Sequence, residues 1–85
     1  MRIQAEMLER VVKDLEGAVD RIKRGNLGTG TNYIGLALLD LADAINGDEE
    51  EAGTVKAALK NSAILLADAV VILSEHGYTI EEGGG

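Results

Sequence analysis

The segment QAEMLERVVKDLEGAVDRIKR, Gln4 to Arg24, decides the fold. In it Ala5, Leu8, Val12, Leu15, Val19 and Ile22 recur at alternating steps of three and four residues. That spacing writes three heptads of an a/d seam, which Val11 and Ala18 widen. It predicts a helix over about residues 3–24. Gly17 sits in its interior at a cost of ~1 kcal/mol relative to Ala, which marks a close helix crossing. Arg21, Lys23 and Arg24 fall in the last turn, where cations complement the helix dipole, and Gly25 follows as a left-handed terminator.

Working outward, the same period continues through the chain, which contains no Pro. A second helix is expected over about residues 31–46, capped by Thr31 or Asn32 and ending at Asn46-Gly47. Its segment YIGLALLDLADAI, Tyr33 to Ile45, is apolar on nearly every side, with only Asp40 and Asp43 interrupting. A third helix is expected over about 51–76, beyond the acidic loop GDEEEAG, Gly47 to Gly53. Either Glu49–Glu51 make its first turn or Thr54 caps it, and Gly77 ends it. Its second half, Ile64 to Leu73, is again apolar over most of its circumference. Helices apolar on several sides are buried on several sides. One copy of the first helix cannot cover both. The fold class is therefore all-α, a three-helix hairpin-like protomer that forms a four-helix-type core by homo-oligomerisation, as a dimer or higher. Residues 1–80 make one domain, and 81–85 a flexible acidic and glycine tail.

Composition narrows the functional classes. At 85 residues a single core is marginal without a disulfide, a metal or a partner subunit. No Cys is present and only one His, so disulfides and thiolate or structural zinc sites are excluded. No signal peptide is visible, and the apolar runs break well before the ~20 residues of a membrane span, so a cytoplasmic protein with no membrane partner is expected. The net charge of −7 is uneven: residues 1–24 sum to +1 and residues 25–85 to −8. With no Trp or Phe and only Tyr33 and Tyr78, the chain lacks the means to neutralise phosphates or stack bases. No nucleic acid partner is expected. The acidity serves solubility, a divalent cation or a basic protein.

The glycine loop RIKRGNLGTGTN, Arg21 to Asn32, raises the question of phosphate binding. Gly25 and Gly30 have the spacing of G-x-x-x-x-G-K-[ST], but Thr31 and Asn32 stand where Lys and Ser or Thr belong, and no strand precedes them. G-x-G-x-x-G fails at Tyr33. A looser anion site is one expectation, built from the N–H groups at the start of the second helix, the Thr29 and Thr31 hydroxyls and the cations Arg21, Lys23 and Arg24. The competing reading is that these residues simply cap two helices. His76, in the last turn of the third helix, has no Ser or Cys beside it as a nucleophile, and no catalytic residue is assigned.

Asp40 and Asp43 are three apart, so they share one face of the second helix, and Asp68 stands alone in ILLADAVVIL of the third. Such a set suits a hard cation such as Mg²⁺, with substrate phosphates completing its shell. Alternatively, each Asp only marks the polar stripe of its helix. The segment LLDLADAINGDEEEAGTVKAALKNSAILLADAVVILSEHGYTIEE resembles the core of the MazG-type all-α nucleoside triphosphate pyrophosphohydrolases. In those proteins one helix carries E-x-x-E and a second E-x-x-D, and the acidic residues bind Mg²⁺. The resemblance spans residues 36–82 and places Asp40-Leu-Ala-Asp43 on the first motif and Asp68 on the Asp of the second. Leu65 falls where the second motif needs Glu, which removes a ligand or base. The resemblance thus implies a nucleotide-binding member that does not cleave, with Lys56, Lys60 and Asn61 as phosphate contacts. The alternative is an acidic protein-interaction module, such as a viral or mobile-element inhibitor or antitoxin-like factor, facing a basic protein partner.

Overall fold

The computed structural model describes residues 1–76 and 78–81, without the side chain of Ser74. Gly77, the expected terminator, and nearly all of the expected tail lie outside the described residues. Three helices carry the chain: α1, Ala5–Lys23; α2, Leu27–Ala44; and α3, Glu50–Ser74. The all-α expectation holds. Two short strands, β1 (Arg2–Ile3) and β2 (Ile45–Asn46), pair antiparallel with Arg2 opposite Asn46 and Ile3 opposite Ile45. Neither strand was foreseen, because two residues are too few to show a period. They fasten the start of α1 to the end of α2, and Gln4 N–H donates to the Ala44 carbonyl at 2.9 Å.

The α1–α2 corner explains the largest boundary shift. Gly25 takes the left-handed conformation, with φ of +89°. Its N–H donates to the Ile22 carbonyl at 3.1 Å, and that of Asn26 to the Arg21 carbonyl at 2.8 Å. These two bonds close a Schellman motif. Asn26 then serves the next helix at once, its side-chain oxygen accepting from Thr29 N–H at 3.2 Å. So α2 begins at Leu27, four residues before the expected start, and neither Thr31 nor Asn32 caps it. Thr31 is buried, and its hydroxyl donates to the Leu27 carbonyl at 2.8 Å. Of the glycines that suggested a loop, Gly30 is instead a contact surface. A Cβ on Gly30 would lie 2.5 Å from Ile22 Cγ1 and 3.0 Å from the Ala18 carbonyl oxygen. The helix can cross α1 this closely only without a side chain there.

At the other corner Gly47 has φ of +148°, and Glu49 opens α3 with Glu50 and Glu51 in its first turn. Thr54 is one turn inside α3, and its hydroxyl bonds back to the Glu50 carbonyl at 3.0 Å. Ser62 does the same to Ala58 at 2.9 Å, as its mid-helix position predicts.

The helices pack in chain order, α1 on α2 and α2 on α3, while α1 and α3 barely meet. The result is an elongated body of 44 × 25 × 22 Å. Most of the buried residues are small: Ala18, Gly30, Ala37, Ala42, Ala44 and Ala52, with Ile45 and Thr31. Among the described residues no large side chain is fully buried. α1 turns toward α2 the face of Met7, Val11, Asp14, Ala18 and Arg21, which are buried or half-buried. Its a/d seam, apart from Ile22 against Gly30, therefore points elsewhere. Val12 and Val19 are 52% and 53% exposed, and Leu8 and Leu15 are exposed as well. On α3, by contrast, Ala52, Lys56, Leu59, Ala63, Leu66, Val70 and Leu73 follow a heptad that is buried or half-buried.

Candidate functional site

Three features emerge from this architecture: an acid pair between α1 and α2, a set of dispersed cations, and uncovered apolar faces. Asp14 and Asp40 form the pair. Asp14 lies on the α2-facing side of α1, in step with Val11 and Ala18, and is half-buried, as is Asp40. One carboxyl oxygen of Asp14, Oδ2, is enclosed and has no hydrogen-bond partner. The Asp14 carboxyl is pushed up to about 6. The largest cause is its hydrogen bond with Asp40, which requires a proton on one of the two acids. Burial and the Asp40 charge act in the same sense, and Arg10 opposes them. Sequence reading passed over Asp14 because the charges of its own helix surround it. Its spacing of three from Val11 and four from Ala18 was the available signal.

The expected three-aspartate site does not form within one chain. Among the described residues no group of three His, Cys, Asp or Glu is placed to hold a metal ion. Asp40 faces Asp14, while Asp43 and Asp68 are exposed. The expected phosphate contacts are equally dispersed. The Lys56 ammonium donates to the Ile45 carbonyl at 3.0 Å, satisfying backbone at the end of α2. Thr31 lies near the opposite end of α2, ~20 Å from Ile45 at 1.5 Å per residue. Its hydroxyl is already committed to Leu27. Arg24 reaches Asp20 at 3.2 Å, and Arg21 pairs with Asp20 at 2.8 Å while lying 5.4 Å over the Tyr33 ring. Lys60 and Asn61 are exposed on α3.

The start of α2 does border a cleft of about 310 Å³, lined by Gly25, Asn26, Leu27, Gly28, Leu73, His76 and Tyr78. The Tyr78 hydroxyl closes one side of this end by donating to the Ile22 carbonyl at 2.9 Å.

The apolar faces are the most extensive feature. A shallow hollow of about 350 Å³ lies along α1 between Val12, Leu15, Glu16 and Val19. A second, of about 320 Å³, runs between α2 and α3. It is walled by Leu36, Leu39 and Leu66 and includes the small residues Gly35, Ala63 and Ala67. On α3, Ile64 and Leu65 are 64% and 67% exposed. Leu65, which stands where the resemblance calls for Glu, belongs to this outward surface. Scattered exposed apolar residues are ordinary, but rows at helical spacing mark contact surfaces. None of the described helices is long and apolar enough to cross a membrane. Compared with protein-family models, with curated proteins and with solved structures, the chain matches none.

Proposed function

We propose that this protein is a helical association module whose protomers complete one another's core, as a dimer or higher oligomer with a four-helix-type centre. The assembled particle offers its acidic residues to a basic protein partner. One observation carries the reading: among the described residues Ile45 is the one large apolar side chain that is buried, while whole rows of Leu, Ile and Val stay exposed. Folding of a single chain depends on burying such side chains, at ~1.5–3 kcal/mol each. The α1 seam and the faces of α2 and α3 supply what is missing only when something covers them.

Charge divides the two contacts. A chain of net charge −7 repels its own copies, so salt strengthens self-association. Contact of Asp43, Asp68 and Glu49–Glu51 with a basic protein is weakened by salt. Sedimentation equilibrium with circular dichroism, from sub-micromolar to high micromolar protein, tests the first contact. The expected result is a species of two or more chains whose helicity falls on dilution. A single chain that stays fully folded throughout that range removes the reading. A salt titration of a captured basic partner tests the second contact, and binding indifferent to reversal of Glu49–Glu51 counts against it.

A further inference from the structure

The uncovered seam of α1 specifies more than self-association. Its three-four rhythm assigns Val12 and Val19 to a positions and Leu8 and Leu15 to d positions, with Ala5 and Ile22 at the two ends. β-Branched residues at a with Leu at d favour two parallel strands over higher assemblies. At 100° per residue, the seam lies about a quarter turn from the Val11–Ala18 face that packs on α2. A second helix can therefore approach without displacing α2. We propose that the seam of Leu8, Val12, Leu15 and Val19 packs in parallel and in register on the same seam of a second copy, with the two-fold axis running along α1. This inference rests on the association reading and assigns its surface and orientation.

Two further observations support the second copy and the direction. The chain exposes 5999 Å². A compact monomer of its mass, 8.9 kDa, exposes ~4,800 Å² on the usual scaling, so the excess is ~1,200 Å². That is of the order of the ~800 Å² each partner contributes to a standard interface. The direction follows from the flanking charges. Glu9 and Glu16 occupy e positions, while the g positions are Val11 and Ala18. A parallel pair turns each e position toward the other copy's g flank, where α2 already covers Ala18, and so keeps Glu9 and Glu16 of the two copies apart. An antiparallel pair sets Glu9 against Glu16 of the other copy, and like charges so placed cost stability.

The absence of native Cys makes the test direct. Leu8→Cys and Val19→Cys are made separately in the full chain, with exposed Lys13→Cys as control. Each is oxidised mildly after circular dichroism has confirmed native helicity, and the covalent dimer is read on a denaturing gel. In a parallel, in-register pair each residue meets its own counterpart within disulfide reach. Leu8→Cys and Val19→Cys then each convert mostly to covalent dimer, while Lys13→Cys stays a thiol. Either seam variant suffices if the other fails to fold. Cross-linking only in a mixture of the two overturns the parallel arrangement. An oligomer that cross-links in neither variant nor their mixture overturns the seam while leaving association intact. A folded, single-chain species overturns both.

Discussion

The carboxyl of Asp14 is hydrogen-bonded to that of Asp40 across the α1–α2 interface, and its Oδ2 finds no partner. Its folded pKa, about 6, lies above the ordinary carboxylate value. The folded state therefore holds a proton that the unfolded chain has already lost between about pH 4 and 6. The pair's contribution is fully present below about pH 4 and is lost as pH rises through 6. Asp40 from α2 and Arg10 from α1 are the charged groups that act on it. For a half-buried pair this amounts to about 1–2 kcal/mol after solvent screening. Asp14→Asn should flatten the fall in melting temperature between pH 4.5 and 7 and raise stability at pH 7. The Glu49 carboxyl, held low by the chain's terminal ammonium, acts in the opposite sense in both proteins, so the comparison isolates Asp14. Identical pH profiles for the two proteins would sink the assignment.

Two helical glycines should answer the same substitution with opposite signs. Gly30→Ala drives a methyl into Ile22 and the Ala18 carbonyl, so it should destabilise by about 1–3 kcal/mol despite the better helix propensity. Gly53→Ala meets nothing within 4 Å and should stabilise by about 0.5–1 kcal/mol. Urea unfolding of both at one protein concentration decides this. A stabilised Gly30→Ala would show that α2 does not lie so close to α1.

Asn26 is placed as the hinge pin of the first corner. Asn26→Ala loses the bond to Thr29 N–H and should cost about 1 kcal/mol, whereas Asn26→Ser should recover most of it. Equal losses in both variants would mean that the side chain is not capping.

Lys56 serves backbone in this fold. Lys56→Met keeps the stem but leaves the Ile45 carbonyl without its ammonium, and should lower stability by about 1 kcal/mol. Hydrogen exchange should quicken at the β1–β2 pairing and the end of α2. If stability stays level while the affinity of a phosphate-bearing ligand falls, the phosphate role expected from sequence is restored.

Much of this could be read before the structure. The Ala5–Ile22 spacing named α1, and Gly25 named its end, because a helix period and a left-handed terminator are local signals. The early start of α2 was hidden by glycines, whose loop-like composition says nothing about a neighbouring helix close enough to need Gly30. Asp40 was singled out, but its partner was not. A contact between Asp14 and Asp40 depends on how α1 rotates about its axis, and the stronger a/d seam pointed to a different rotation. Seam strength and intramolecular packing parted company here because the larger side chains were left for the outside.

The two-residue ladder of β1 with β2 has one more consequence. Together with the Tyr78 hydroxyl at the far end, it pins both extremities of α1 to the rest of the chain. On the proposed pairing, a rod held at its two ends would meet its counterpart already straight, so docking would forfeit little configurational freedom. Loosening either clasp should then weaken assembly without touching a single contact residue.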